Sequence, residues 1–297
     1  MKLLTILARF GTEQYARAEA EIAERFAHQA PGVERTTVVV DNALPASLVD
    51  EQREPGERGG RVVRMVIGGD NSAYEFSAFD RALKYIGRDL TSYDLVHFAT
   101  SAFNTLYVAY LDRFTEPLLQ AVRGRNVCVG HIDCYNEPVE LLQFRSQHWL
   151  RSCFFVMPPE EVQLLGSFVS IADPTPFFSG HADAPFRADA PLCATYRRYI
   201  TDWLTGADIG QGVEWHSSFA LSDATLSSFE RKAHSILMEH LLAVRLRASG
   251  CRVVDVTWLS TQLRRGGRPV PWHTPWREQL AGRDRDALVL SRSSPTG

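Results

Sequence analysis

VIGGDNSAYEFSAFDRAL, residues 66–83, joins a short apolar run to a helical pattern through Gly-Gly-Asp-Asn, and its reading decides the fold. Phe76, Phe79, Leu83 and Ile86 recur at the spacing of one helix face, while residues 61–67 (RVVRMVI) are too short for a helix and read as a strand. Ser72 and Glu75 match the Ser-x-x-Glu capping box, in which the hydroxyl caps the first turn and the carboxylate reaches back. A strand turning directly into a helix is the repeating unit of a parallel α/β sheet. The corner can be a turn and nothing more. It can also hold a ligand, because ligands of open α/β sheets sit at the carboxyl ends of strands.

The same alternation extends in both directions. Residues 2–8 read as a first strand leaving through Phe10-Gly11-Thr12, with Thr12 capping a helix marked by Tyr15, Ala18, Ile22 and Phe26 and stopped by Pro31-Gly32. Residues 36–40 read as a second strand ended by Asp41-Asn42, and residues 50–60, charged and glycine-rich without a period, as a surface loop. Residues 95–99 and 127–132 supply a fourth and a fifth strand. The expected fold class is α/β: a Rossmann-like, mostly parallel sheet flanked by helices. The C-terminal half is less regular. It holds a strand at 152–157, a helix from Pro159 to Phe168, a loop at 172–191, and a long helix capped by Ser227 with Glu230. Phe229, Ala233, Ile236, Leu237, Leu241 and Val244 line that helix, Ser249-Gly250 ends it, and a strand at 252–256 leads into an Arg/Trp/Pro-rich tail whose last residues should be disordered.

Bulk properties exclude several classes. A net charge of −3 gives no general attraction to nucleic acid or anionic membrane. No stretch approaches the ~18 apolar residues of a membrane span, and the N-terminal apolar run is too short for a signal peptide. The cysteines (Cys128, Cys134, Cys153, Cys193, Cys251) are odd in number and scattered, which fits a reducing compartment. The expected location is cytoplasmic, or peripheral to the inner membrane.

Three strand ends carry polar groups: Phe10-Gly11-Thr12, Asp41-Asn42 and Asp70-Asn71-Ser72. In a parallel sheet they lie side by side. Asp70 is informative by sign, since a helix start that held only phosphate would not favour an added carboxylate. An aspartate suits ribose hydroxyls or a ring N–H, so the edge reads as a nucleoside pocket. Neither Gly-x-Gly-x-x-Gly nor Gly-x-x-x-x-Gly-Lys occurs where it would be needed, and no cofactor is expected.

The order of a polar first exit, VVVDN, GGDNSAYEFSAF and then YDLVHFATSAFN resembles the donor-binding half of GT-A-type glycosyltransferases of bacterial surface polysaccharide synthesis, over roughly residues 1–170. The resemblance implies one GT-A-like domain over 1–281, with a nucleotide-sugar half at 1–135, an acceptor half at 136–281 and a tail at 282–297. It implies donor binding by Phe10, Gly11, Asp41, Asn42, Asp70, Asn71 and Ser72, with Thr100, Ser101 and Asn104 on the next strand end. Its partners are a nucleotide sugar and a glycan acceptor, with no nucleic acid. Such enzymes usually end the fourth strand in Asp-x-Asp, which holds a divalent metal. This chain has Ala99-Thr100-Ser101-Ala102-Phe103-Asn104 there, without a carboxylate, so no metal site is expected. The leaving charge would then fall to arginines such as Arg264 and Arg265.

Other groups are candidates for the remaining roles. Glu214, in GQGVEWH, and Asp133 are candidate general bases, with Glu137 and Asp173 as rivals. His131, Trp149 and Arg151 could border an acceptor sugar. His97, inside an apolar strand, reads as a core histidine. The segment at 263–280 combines Arg264, Arg265, Arg268 and Arg277 with Trp272 and Trp276, as a diphosphate lid or a solvated tail. Two rival classes stay open: a non-catalytic binding scaffold, and an oxidoreductase or methyltransferase on a Rossmann-type sheet.

Overall fold

The computed structural model describes residues 1–13, 15–55, 61–103, 108–207, 218–266 and 269–283. Its strands are β1 (Lys2–Arg9), β2 (Glu34–Asp41), β3 (Val49–Pro55), β4 (Arg61–Gly68), β5 (Leu95–Thr100), β6 (Val127–Leu141), β7 (Phe144–Met157) and β8 (Arg252–Asp255). Its helices are α1 (Ala18–Gln29), α2 (Tyr74–Ile86), α3 (Glu116–Val122), α4 (Pro159–Leu165), α5 (Ala194–Thr205), α6 (Asp223–Ala248), α7 (Val256–Arg264) and α8 (Trp276–Ala281). The described residues form an eight-stranded sheet in the order β3-β4-β2-β1-β5-β7-β6-β8. Four neighbouring pairs are parallel: β1 with β2, β1 with β5, β2 with β4, and β6 with β8. β3 and β7 run antiparallel to β4 and β5. The fold is therefore an α/β sheet, mostly parallel and flanked by helices.

Two compact units interleave along the chain. The first contains Met1–Ile132, Arg151–Phe168 and Leu246–Gly297; the second contains Asp133–Leu150 and Val169–Arg245. The chain passes between the units at 132/133, 150/151, 168/169 and 245/246, the first two inside the β6–β7 hairpin.

In the first unit, the period of two along β1 divides the core. Leu3 and Leu7 share one cluster with Ala18, Ile22 and Phe26 of α1 and with Phe103, Phe114 and Phe154. On the other side Phe79 of α2 meets Phe98, Phe168 and Phe155 with ring centroids 5.1, 5.4 and 6.2 Å apart. Each buried phenyl contributes roughly 1.5–3 kcal/mol relative to exposure. His97 belongs to the α1 side, 4.1 Å from the Phe154 ring and 5.0 Å from that of Phe26, with Nδ1 3.3 Å from Thr5 Oγ1. Complete burial pushes its pKa down to about 3, so it is a neutral core histidine.

Several local expectations are corrected. Residues 49–55, expected to begin the loop, form β3, paired from Val49↔Ile67 to Pro55↔Arg61. β3 is an edge strand with Val49 51% exposed, so it needs no apolar pattern. Ser72 does not cap α2: Asn71 and Tyr74 take positive φ of 52° and 53°, and the Ala73 N–H donates to Ser77 Oγ at 3.1 Å. Glu75 does not reach back; its Oε1 accepts from Ser152 Oγ at 3.0 Å. Ser227 and Glu230 lie inside α6, whose first turn is closed by Ser222 N–H donating to Thr225 Oγ1 at 2.9 Å. The tail begins with a helix, α7, capped by Asp255 Oδ1, which accepts from Trp258 N at 3.0 Å.

The second unit has its own aromatic centre. Trp149 lies 4.6 Å from Tyr135 and 4.5 Å from His240, ring to ring, and the Tyr196 hydroxyl sits 2.7 Å from His240 Nδ1. Burial pushes His240 down to about 3, against the opposing pull of Asp133. Among the described residues, no helix is long and apolar enough to cross a membrane.

Candidate functional site

The first unit has a topological switch point. From β1 the chain moves to β2 and then β4 on one side, and α2 carries it back to β5 on the other side of β1. In open α/β sheets the crevice outside such a point is where ligands bind. Register fixes what stands at this edge: Arg9 opposes Asp41, Asp41 opposes Gly68, and Ala8 opposes Thr100. With strands about 4.8 Å apart, the four ends span about 15 Å.

Asp41 supports this edge from within. It is 2% exposed, and both of its oxygens are used by the protein. Oδ1 accepts from the N–H groups of Gly11 at 2.9 Å and Ala43 at 3.0 Å, while Oδ2 accepts from Arg9 Nε at 2.7 Å. Burial raises its pKa, but the two N–H groups and Arg9 outweigh that, and the net direction is down. Arg9 is shared with Glu19, 3.4 Å away, and Glu19 also binds Arg64. Asn42 is committed too: its Nδ2 donates to Asn71 Oδ1 and to the Tyr74 carbonyl, both at 3.1 Å. Asp41, expected to face a nucleobase, has both oxygens taken by the protein, while Asn42 keeps its Oδ1 without a partner among the described residues. The two residues hold the Gly11 turn and the 71–74 turn in place.

The glycines of the opening stretch have a packing reason. A Cβ at Gly68 would lie 1.7 Å from the Pro45 carbonyl oxygen, and one at Gly69 would lie 1.9 Å from Asn42 Oδ1. The 42–48 segment crosses the strand end at backbone distance, with Gly68 N donating to the Leu48 carbonyl and Gly69 N to that of Asp41, both at 3.0 Å.

What remains open at the edge is Phe10, 67% exposed, Gly11 at φ 67°, and the Asp70-Asn71-Ser72 hook. Asp70 is exposed, and its Oδ1 accepts from both N–H and Oγ of Ser72 at 2.9 Å. The Ser72 N–H is the main cause of its lowered pKa. The Ser77 hydroxyl donates to the Tyr74 carbonyl at 3.0 Å and also contributes to the lowered Asp70 pKa. Thr100 is half-buried and Ser101 buried, the Ser101 N–H donating to the Ala8 carbonyl at 2.9 Å.

The other expected residues stand elsewhere. Arg264 and Arg265 are exposed at the end of α7, and the cations at the strand-end edge are Arg9 and Arg81, the latter donating to the carbonyls of Gly68 at 3.4 Å and Ala46 at 2.7 Å. His131 is buried, its ring stacked 4.5 Å from that of Tyr110, and Arg151 is half-buried on β7. Trp149 is 4% exposed in the aromatic centre of the second unit, so it packs that core rather than bordering a sugar. Asp133, half-buried, opens the β6 portion of the second unit. Glu137 is exposed and 3.7 Å from Arg198, and Asp173 is exposed with Oδ1 accepting from Thr175 N at 2.9 Å. Asn104, Glu214 and Arg268 lie outside the described residues. Among the described residues no group of three or more His, Cys, Asp or Glu is arranged to hold a metal ion. Comparison with protein-family models, curated proteins and solved structures returned no match.

Proposed function

We propose that the first unit binds the nucleoside of a nucleotide sugar at the switch point and that the chain is a GT-A-like glycosyltransferase, moving that sugar to a glycan acceptor. The observation that supports this reading is the register that sets Gly11, the Asp70 hook and Thr100 along one carboxyl edge on either side of β1. Phe10 offers an exposed ring for a base, and Asp70 an anionic acceptor for ribose hydroxyls. The antiparallel β7 between β5 and β6 departs from the dinucleotide-binding order, which weighs against the oxidoreductase reading. In the proposed reaction a carboxylate, Glu214 or Asp133, removes the proton of an acceptor hydroxyl. That oxygen bonds to the anomeric carbon as the bond to the nucleotide phosphate breaks. With no carboxylate in residues 99–104, the reading requires no divalent metal.

A non-catalytic nucleotide- or glycan-binding scaffold is the second reading, favoured by the commitment of Asp41 to Arg9 and to backbone N–H groups. Titration calorimetry with UDP, GDP, CDP and TDP, with and without Mg²⁺ or Mn²⁺, separates the outcomes. One nucleotide is expected to bind without metal, and failure of all four overturns the glycosyltransferase and the nucleotide-binding scaffold, leaving only a glycan-binding one. Release of nucleotide from its sugar donor distinguishes the enzyme from the scaffold.

A further inference from the structure

At the opposite edge of the sheet, the first unit carries a cleft of about 620 Å³ lined by Arg125, Arg252, Trp272, His273 and Thr274, with Val270 and Pro271 as its apolar wall. That volume is in the range of small-molecule sites. Arg125 stands two residues before β6, and Arg252 opens β8, its N–H donating to the Asn126 carbonyl at 2.9 Å. β6 and β8 are parallel, so both arginines stand at amino ends, away from the switch point.

Charge in this cleft is one-sided. Among the described residues no carboxylate lines it. Among the described residues the Arg252 guanidinium makes no hydrogen bond or ion pair, although the residue is half-buried. The Arg125 guanidinium lies over the Trp272 ring, 4.8 Å from its centroid, and only its Nε is hydrogen-bonded, to the Ala121 carbonyl at 2.8 Å. Asp94, an acid on this same edge, is paired with Arg123 at 2.7 Å and with the Lys2 N–H at 2.7 Å. In the first unit Arg9, Arg64 and Arg283 are paired with Asp41, Glu19 and Asp255, and Arg81 donates to the Gly68 and Ala46 carbonyls. Among the described residues neither exposed Arg125 nor half-buried Arg252 has an acid. Guanidinium forks held at a fixed spacing bind phosphate oxygens by paired N–H···O bonds, and stacking on Trp272 preorganises one fork.

We propose that the cleft of Arg125, Arg252 and Trp272 is a binding site for a phosphate-bearing ligand, separate from the nucleoside edge. The phosphate can belong to a soluble molecule or to a lipid headgroup, and the chemistry of recognition is the same.

The test uses the full chain with inorganic pyrophosphate in titration calorimetry, and with phosphatidylcholine vesicles, with and without phosphatidylglycerol, in sedimentation. Saturable pyrophosphate binding that weakens about ten- to a hundredfold in Arg252→Gln, and less in Arg252→Lys, which keeps the charge and loses the fork, is the expected result. Sedimentation only with phosphatidylglycerol, with the same dependence on residue 252, assigns the lipid source. Absence of both, or binding that Arg252→Gln leaves intact, overturns the proposal. Matching thermal melts for the wild type and both Arg252 variants tie the loss to the cleft, whereas a lowered melt in Arg252→Gln moves the decision to Arg125→Lys, which keeps the charge but gives up the planar fork over Trp272.

Discussion

Asp41 and Asp70 close neighbouring strand ends, and they do opposite things. Asp41 is 2% exposed and gives its oxygens to Arg9, Gly11 and Ala43. Asp70 is exposed, and one of its oxygens is spent on its own turn. Both carboxyls sit below their usual range, Asp41 despite burial, and Asp70 chiefly through Ser72. A lowered carboxyl pKa at a strand end therefore does not by itself mark a ligand site. The location of the satisfied donors matters more: besides Ala43 two residues on, Asp41 collects Arg9 and Gly11 from the neighbouring strand exit and fixes the floor, whereas the hydrogen bonds of Asp70 to Ser72 stay within its own turn and it remains accessible.

The largest effect expected from breaking this arrangement is at the glycines that let the two corners approach. Gly68→Ala sets a methyl 1.7 Å from a backbone oxygen that cannot rotate away, so the 42–48 crossing must move. A loss of about 3–5 kcal/mol is expected in urea unfolding. At Gly69 the clash, at 1.9 Å, is with the Asn42 side chain, which can swing aside. Gly69→Ala should cost about 1–3 kcal/mol, the Asn42 bonds to Asn71 and Tyr74 being lost with it. Equal losses for the two variants would mean that the crossing is not held as described.

Asp41→Asn sharpens the contrast next. The amide keeps an acceptor for Gly11 and Ala43 but turns an N–H toward Arg9, whose remaining carboxylate is Glu19. A cost of about 2–3 kcal/mol is expected, below that of an isolated buried ion because Glu19 stays. The folded pKa of Asp41 is depressed, so its contribution is fully present above the ordinary value of 3.8 and is lost as pH falls through the lower folded value. The gap in urea midpoint between wild type and Asp41→Asn should hold from about pH 6 to pH 5 and narrow as pH falls below 3.8. A gap that widens in acid would reverse the sign of the argument.

Much of this edge was legible before any coordinates. β1, β2, β4 and β5 are short apolar runs, β2 and β4 ended by Asp41-Asn42 and Gly68-Gly69, and runs of that kind are strands in whatever fold they join. β3 was not legible, because VDEQREP pairs on one side only and buries little. The β6–β7 hairpin was hidden by its turn: Leu142 and Gln143 adopt φ of 47° and 66° where glycine or asparagine would be expected. The capping-box pattern at Ser72 failed because the backbone reaches α2 through two left-handed residues, a conformation that residue types alone do not announce. At the candidate site, sequence placed the carboxylates at the right edge. Partners drawn from Arg9, 32 positions away, decide which of them is consumed.

The smallest stability effect and the most specific functional one should coincide at Asp70→Asn. The asparagine retains Oδ1 for the Ser72 N–H, so the turn survives, and an exposed surface change of this kind shifts stability by no more than about 0.5 kcal/mol. What disappears is the negative acceptor at Oδ2. If that oxygen takes ribose hydroxyls, replacing a charged acceptor by a neutral group weakens nucleotide binding by about tenfold, read by calorimetry against whichever of the four nucleotides binds the wild type. Asp41→Asn, measured beside it well above its lowered pKa, should lose stability and keep most of its affinity, because its side chain is turned inward. Reversal of the two rows, with affinity lost at Asp41 and kept at Asp70, would move the nucleoside from the open edge to the floor, and the Arg9–Asp41 pair would then have to open for the ligand to enter.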